Sequence, residues 1–165
     1  MKTIKFPLRY LPKKITLKDK KKQFNMLRKS RKLYKKGSYY TRKNIKSFKS
    51  KKSSHVILAK KKYNVSKIGA TVELAKKTKC SRKALEKIIQ KGEGAYYSSG
   101  SRPNQSPQSW GIARLASSLT SGKAAAVDYS ILEKGCKPDS IALKMAKQAR
   151  RKYGHGQHGV PKVKF

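Results

Sequence analysis

The residues able to do chemistry fall into a few groups along this chain. The first is the run SSGSRPNQ, residues 98–105. Glycine among serines lets successive backbone N–H groups turn toward one point. Ser99, Gly100, Ser101 and Arg102 could cradle an anion in this way, with Arg102 adding a bidentate bond to phosphate. The run lacks the GxxxxGK[ST] pattern of a nucleoside triphosphate site. It also reads as a purely shaped loop, in which Arg102, Asn104, Gln105 and Trp110 knit the turn onto the helix that follows. The second group is cationic. Arg82, Lys83, Lys87 and Lys91 belong to one predicted helix, and Arg28, Lys29, Arg31, Lys32, Arg42 and Lys43 lie further upstream. Such side chains neutralise phosphate. Tyr39, Tyr40 and Phe48 interleave with the upstream cations, either to stack on bases or to anchor the chain in apolar grooves.

Catalytic groups are scarce. Among the 7 acidic residues, Glu73, Glu86 and Glu133 read as solvated helix positions and Asp139 as a cap. Glu93 and Asp128 flank the loop region and are the acids open to a catalytic role. No Ser/His/Asp arrangement is suggested. His155 and His158 form HxxH in a glycine-rich tail with no third ligand. The expectation is therefore no metal, no cofactor, no small-molecule substrate and no enzyme. Cys80 and Cys136 lie far apart with no CxxC, so two reduced, partly buried thiols in an intracellular setting are expected.

Charge sets the partners. The 165 residues hold 44 Lys and Arg, for a formal charge of +37. Residues 1–62 carry 24 of these cations and one acid, Asp19. A stretch so cationic repels itself and is expected to be an extended arm that orders on polyanions: DNA, RNA or anionic lipid head groups. Binding to a duplex should weaken steeply with salt. No apolar run approaches the roughly 20 residues that span a bilayer, and MKTIKFPLRYLPKK lacks the apolar core of a signal peptide.

The elements that must position these groups are helices. Residues 17–36 form one, with Phe24, Leu27 and Tyr34 on a shared face and Gly37 as a stop. Residues 55–63 form a short one. Residues 71–92 resemble a helix-turn-helix: Thr71 and Ser81 cap two helices around the turn TKC, and Gly92 ends the second. Lys79 stands in that turn where glycine is usual. The alternative is an ordinary packed helix pair. Ser106 and Pro107 start the next helix, and residues 123–134 and 138–153 give two more. The fold expected is mainly α: a basic arm over residues 1–63, a small helical domain over 64–153 and a tail over 154–165.

The segment GAYYSSGSRPNQSPQSWGIARLASSLTSGKAAAVDYSIL resembles the hallmark of an uncharacterised basic protein family of large nucleocytoplasmic DNA viruses of algae and amoebae. The resemblance extends over RYLPKKITLKDKKKQ, MLRKSRKLYKKGSYYTRKNIKSFKSKKSSHV and ELAKKTKCSRKAL. Its specific part is SSGSRPNQ…SWG.ARLAS. It brings no activity, but it implies a viral protein. With the charge pattern, it suggests a structural virion component, a minor capsid or inner-layer protein. Such a protein would bridge capsid proteins and touch genome or membrane through the arm. It would lie on the capsid inner face or in the core, and in host cytoplasm or nucleus during assembly. The alternative is a viral DNA-binding protein, either a genome condenser or a regulator using residues 71–92. A ribosomal-type RNA-binding protein is a weaker third.

Overall fold

The computed structural model describes residues 3–156 and 160–165. It is mainly helical, as expected, with eight α-helices and one two-stranded ribbon among those residues. The chain divides into two units that are not consecutive in sequence. One draws on Met1–Lys51, Gly94–Pro107 and Gly159–Phe165, the other on Lys52–Glu93 and Gln108–His158.

In the first unit, β1 (Lys5–Pro7) pairs antiparallel with β2 (Lys162–Lys164), placing Phe6 opposite Val163. Pro7 is tolerated because a two-stranded ribbon is all edge. A 3-10 turn over Leu8–Tyr10 follows. The long helix α1 (Leu17–Lys35) starts where Thr16 accepts a hydrogen bond from the Asp19 N–H. It ends where Gly37 takes φ +78°. Gln23, Phe24, Met26, Leu27 and Ser30 form its buried face, whereas Tyr34 is 38% exposed. Phe6 meets Phe24 edge-on at 5.5 Å, and Phe165 tilts against Phe24 at 5.1 Å. Ile15, Met26 and Ile45 make a smaller cluster, with Tyr40 and Phe48 packed on it.

The extended arm expected over residues 1–63 is thus corrected. Its apolar residues Phe6, Tyr10, Leu11, Phe24, Leu27 and Ile45 are all buried within one folded unit. The boundary at residue 63 is corrected too, since residues 94–107 share this unit and 52–63 belong to the other. The tail expected over 154–165 contributes β2. The physical reason is that about half a dozen buried apolar side chains, worth roughly 1.5–3 kcal/mol each, offset the self-repulsion of cations that stay in water.

The second unit is built from α2 (Ser54–Tyr63), α3 (Val72–Thr78), α4 (Arg82–Ser98) as far as Glu93, α5 (Pro107–Ser118) from Gln108, α6 (Lys123–Val127), α7 (Tyr129–Gly135) and α8 (Ile141–Tyr153). Its core is Leu74, Leu85, Ile88, Leu115, Leu119, Leu132 and Leu143, with alanines from α6 and α8. Gly92 does not end α4. It lies inside the helix, where a Cβ would fall 2.6 Å from the Gly111 Cα of α5, so the glycines let two backbones approach. The helix expected over 123–134 breaks at Asp128 into α6 and α7. Ser140, not Asp139, caps α8 through the Leu143 N–H.

The cysteine expectation is also corrected. Cys80 and Cys136 are joined by a disulfide. They sit opposite each other in an isolated antiparallel bridge, flanked by Ser81 N–H to Gly135 O and Lys137 N–H to Lys79 O. Facing residues at such a non-hydrogen-bonded pair approach closely. The bridge joins the α3–α4 turn to the α7–α8 turn across 56 residues.

Candidate nucleic-acid interface

The loop after α4 is held from beneath. Gly100 has φ +129°, and a Cβ there would meet Leu27 Cδ2 at 2.7 Å and the Tyr10 ring at 3.0 Å. The Ser99 and Gly100 N–H groups both donate to Ala95 O, closing α4. Arg31 Nε donates to Ser99 O at 2.8 Å. Arg42 is buried. Its Nη1 donates to Ser30 Oγ and Tyr96 O, its Nη2 to Ser101 Oγ at 2.8 Å, and its guanidinium lies 3.7 Å above the Tyr96 ring. Asn104, at φ +61°, accepts from the Ile45 N–H and donates to Ile45 O and Phe48 O.

These bonds decide between the two readings of SSGSRPNQ. The N–H groups of Ser99 and Gly100 are already engaged, and the Ser101 hydroxyl donates to Arg102 O while accepting from Arg42. The loop is an architectural piece of the first unit, and the anion cradle at Ser99, Gly100 and Ser101 is corrected. Arg102 keeps an exposed side chain. Asn104 also ties the loop to residues 45–48. Burial lowers the pKa of Arg42 and Arg31; at Arg102, whose side chain is only partly desolvated, that partial desolvation and the like charge of Arg9 act in the same direction.

The remaining upstream cations separate by burial. Arg42 is 6% exposed, so it is a scaffold residue and not a phosphate contact. Arg28, Lys29, Lys32 and Lys43 are exposed; Arg31 is half-buried, its guanidinium 4.0 Å over the Phe6 ring. Lys29 lies 4.5 Å over Tyr40. Asp19 is the one acid of this unit, and its carboxylate accepts from the Ser47 N–H at 2.7 Å.

In the second unit, α3 and α4 form the expected pair. Lys79 adopts the left-handed conformation at φ +56°, supplying the backbone shape that glycine usually provides, and its Nζ meets Asp139 Oδ2 at 2.9 Å. Arg82, Lys83 and Lys87 are exposed on α4; Arg82 Nε also donates to Ala70 O. Lys91 is drawn away to Asp128 at 3.2 Å. Asp128 is fully buried under a bidentate Arg114 pair at 2.8 Å and the Ser118 hydroxyl. Its carboxylate is engaged as a structural tie between α5 and α6–α7. Among the described residues no group of three metal-ligating side chains converges. His155 Nδ1 lies against Arg150 Nη2, and His158 lies outside the described residues.

Sequence reasoning missed a cluster of tyrosines. Tyr34, Tyr39 and Tyr97 form a ladder in the first unit, with centroids 6.2 Å and 5.0 Å apart, and Tyr39 is 72% exposed. Tyr39 had been singled out by its cationic neighbours. Tyr34 had been placed on the apolar face of its helix and Tyr97 had no role; their meeting carried no local signal, because 63 positions separate them in the chain. Tyr40 and Phe48 face inward and anchor the segment.

A family model described as a family of unknown function, DUF5824, matches residues 7–135. No curated protein and no solved structure matches the chain.

Proposed function

The chain belongs to the DUF5824 family of unknown function, and from that premise we propose that it is a non-enzymatic protein whose cationic surface binds the phosphate backbone of nucleic acid. The observation that carries this reading is the first unit: a folded scaffold dense in lysine and arginine, with Asp19 as its one acid. Because the scaffold is folded, the exposed cations of α1 are presented at fixed spacings rather than along a loose arm. That costs less ordering entropy on binding. The resemblance of residues 94–132 to a viral family supports placing the protein in a virion. There it would sit as an inner-layer component between capsid proteins and the genome, with an anionic membrane as the other available polyanion.

The test is binding of random-sequence duplex across a salt series. Affinity should fall log-linearly, with a slope near −0.9 per phosphate neutralised. No binding at physiological salt overturns the reading. Stripping purified virions layer by layer tests the location: release with neither shell nor genome rejects it.

The conformation of Lys79 favours a second reading, in which α4 enters a major groove and Arg82, Lys83 and Lys87 read or grip DNA. Selection from random duplexes is expected to return a consensus in that case, lost when the three are changed to alanine. Selection that returns none leaves the pair as plain packing.

A further inference from the structure

The tyrosine ladder is the feature of the first unit that folding alone does not explain. Tyr39 is 72% exposed, and its ring packs on Tyr34 at 6.2 Å and Tyr97 at 5.0 Å. Tyr97 in turn meets the buried Tyr96 edge-on at 5.2 Å, so the ladder is rooted in the core through the ring that Arg42 covers. Its neighbour Tyr40 is turned into the Ile15–Met26–Ile45 cluster. Burial was therefore open to an aromatic on this stretch, and Tyr39 does not take it.

The surroundings are cationic. Tyr34 is on the last turn of α1, and Lys32, Lys35, Lys36 and Lys43 are all exposed. The one acid, Asp19, is 15 residues back along α1, roughly 22 Å at the helical rise. A rigid, outward aromatic amid lysines matches the surface of a strand with unstacked bases. The phosphates meet the ammonium groups and a base meets the ring face. A duplex offers the phosphates but hides its base faces. A protein partner would have to bring both an apolar cover for the ring and carboxylates for these lysines.

We propose that Tyr34, Tyr39 and Tyr97 form a base-stacking platform that makes this protein a binder of single-stranded nucleic acid. The proposal rests on the nucleic-acid reading above and specifies its substrate.

Three probes of about 20 nucleotides separate the two claims: oligothymidylate, an abasic strand with the same number of phosphates, and a random duplex. With the full chain at one salt concentration, oligothymidylate should bind about tenfold more tightly than the abasic strand, the value of one base–aromatic stack. Tyr39→Ala should remove that advantage and leave duplex binding unchanged, while Tyr39→Trp should keep it. Equal binding of the oligothymidylate and abasic strands by the wild type overturns the platform but leaves the backbone reading standing. So does a Tyr39→Ala protein that weakens on all three probes alike, which would mark the ring as structural. A wild type indifferent to bases that dimerises, with Tyr39→Ala monomeric, assigns the ladder to a second copy of the chain and overturns the proposal. Failure of all three probes to bind overturns both claims.

Discussion

Arg42 is the side chain that ties α1, Tyr96 and the loop after α4 together in the first unit. Among the described residues no carboxylate bonds it; Ser30, Tyr96 and Ser101 accept from it, and the Tyr96 ring faces its charge. Truncation would strand buried acceptors that cost about 1–3 kcal/mol each when left unpaired. Arg42→Ala is expected to destabilise the protein by about 2–4 kcal/mol in denaturant titration. Arg42→Lys should recover only part, because an ammonium cannot span the same acceptors as a planar fork. A loss below about 0.5 kcal/mol, the scatter of ordinary surface substitutions, contradicts this bonding. His55 gives a second prediction. Burial beside Gly122 lowers its pKa below 6.5, so the unfolded chain binds its proton more readily than the folded one. This contribution is present above pH 6.5 and is lost as pH falls below it. Asp19 and Asp139, also lowered, act in a separate window below their ordinary 3.8. The thermal midpoint should thus decline on acidification from pH 7 to 5, and His55→Gln should flatten that decline.

At the scale of elements, the Cys80–Cys136 bridge is the tie whose removal is simplest to measure. It closes 56 residues that include α4, α5, α6 and α7. Loop-closure entropy puts its contribution at up to about 4 kcal/mol. Reduction of the folded protein should lower the unfolding midpoint, and the double change Cys80→Ser, Cys136→Ser should reproduce the shift without reductant. An unchanged midpoint means the hydrogen bonds beside the bridge suffice. Most helices here were legible from periodicity, and two from their caps: Thr71 and Ser81 each accept a bond from an N–H three residues on, whereas Thr16 and Ser140 cap helices whose starts the sequence marked only by Asp19 and Asp139. Gly92 misled because a glycine read locally signals a stop. Its actual role, a close approach to Gly111, depends on a helix elsewhere in the chain.

For the whole molecule, the question is whether its most cationic third is a leash or a folded unit. Limited trypsin digestion answers it. A disordered lysine-rich arm is cut within moments, whereas a packed one yields only as fast as it opens. The bond after Arg42 should survive digestion that cleaves exposed loop positions such as Lys51. Cleavage after Arg42 at the rate of a denatured control would restore the arm. The same test bears on function, because the proposed interface needs α1 and the tyrosine ladder to be fixed in place.

The amino-acid order alone determined the charge, the helical content, the caps at Thr71 and Ser81 and the distinctiveness of SSGSRPNQ. It determined these because each is a composition or a pattern spanning a turn or two of helix. Only the tertiary structure decided that SSGSRPNQ organises the supposed arm, that Cys80 meets Cys136, and that Tyr34, Tyr39 and Tyr97 meet. The bonds that settle the first point join residues 54 and 59 positions apart. Such pairings leave no periodic trace in the chain. They are selected by the free energy of burying Phe6, Leu11, Leu27 and Tyr96 together, which no local window contains.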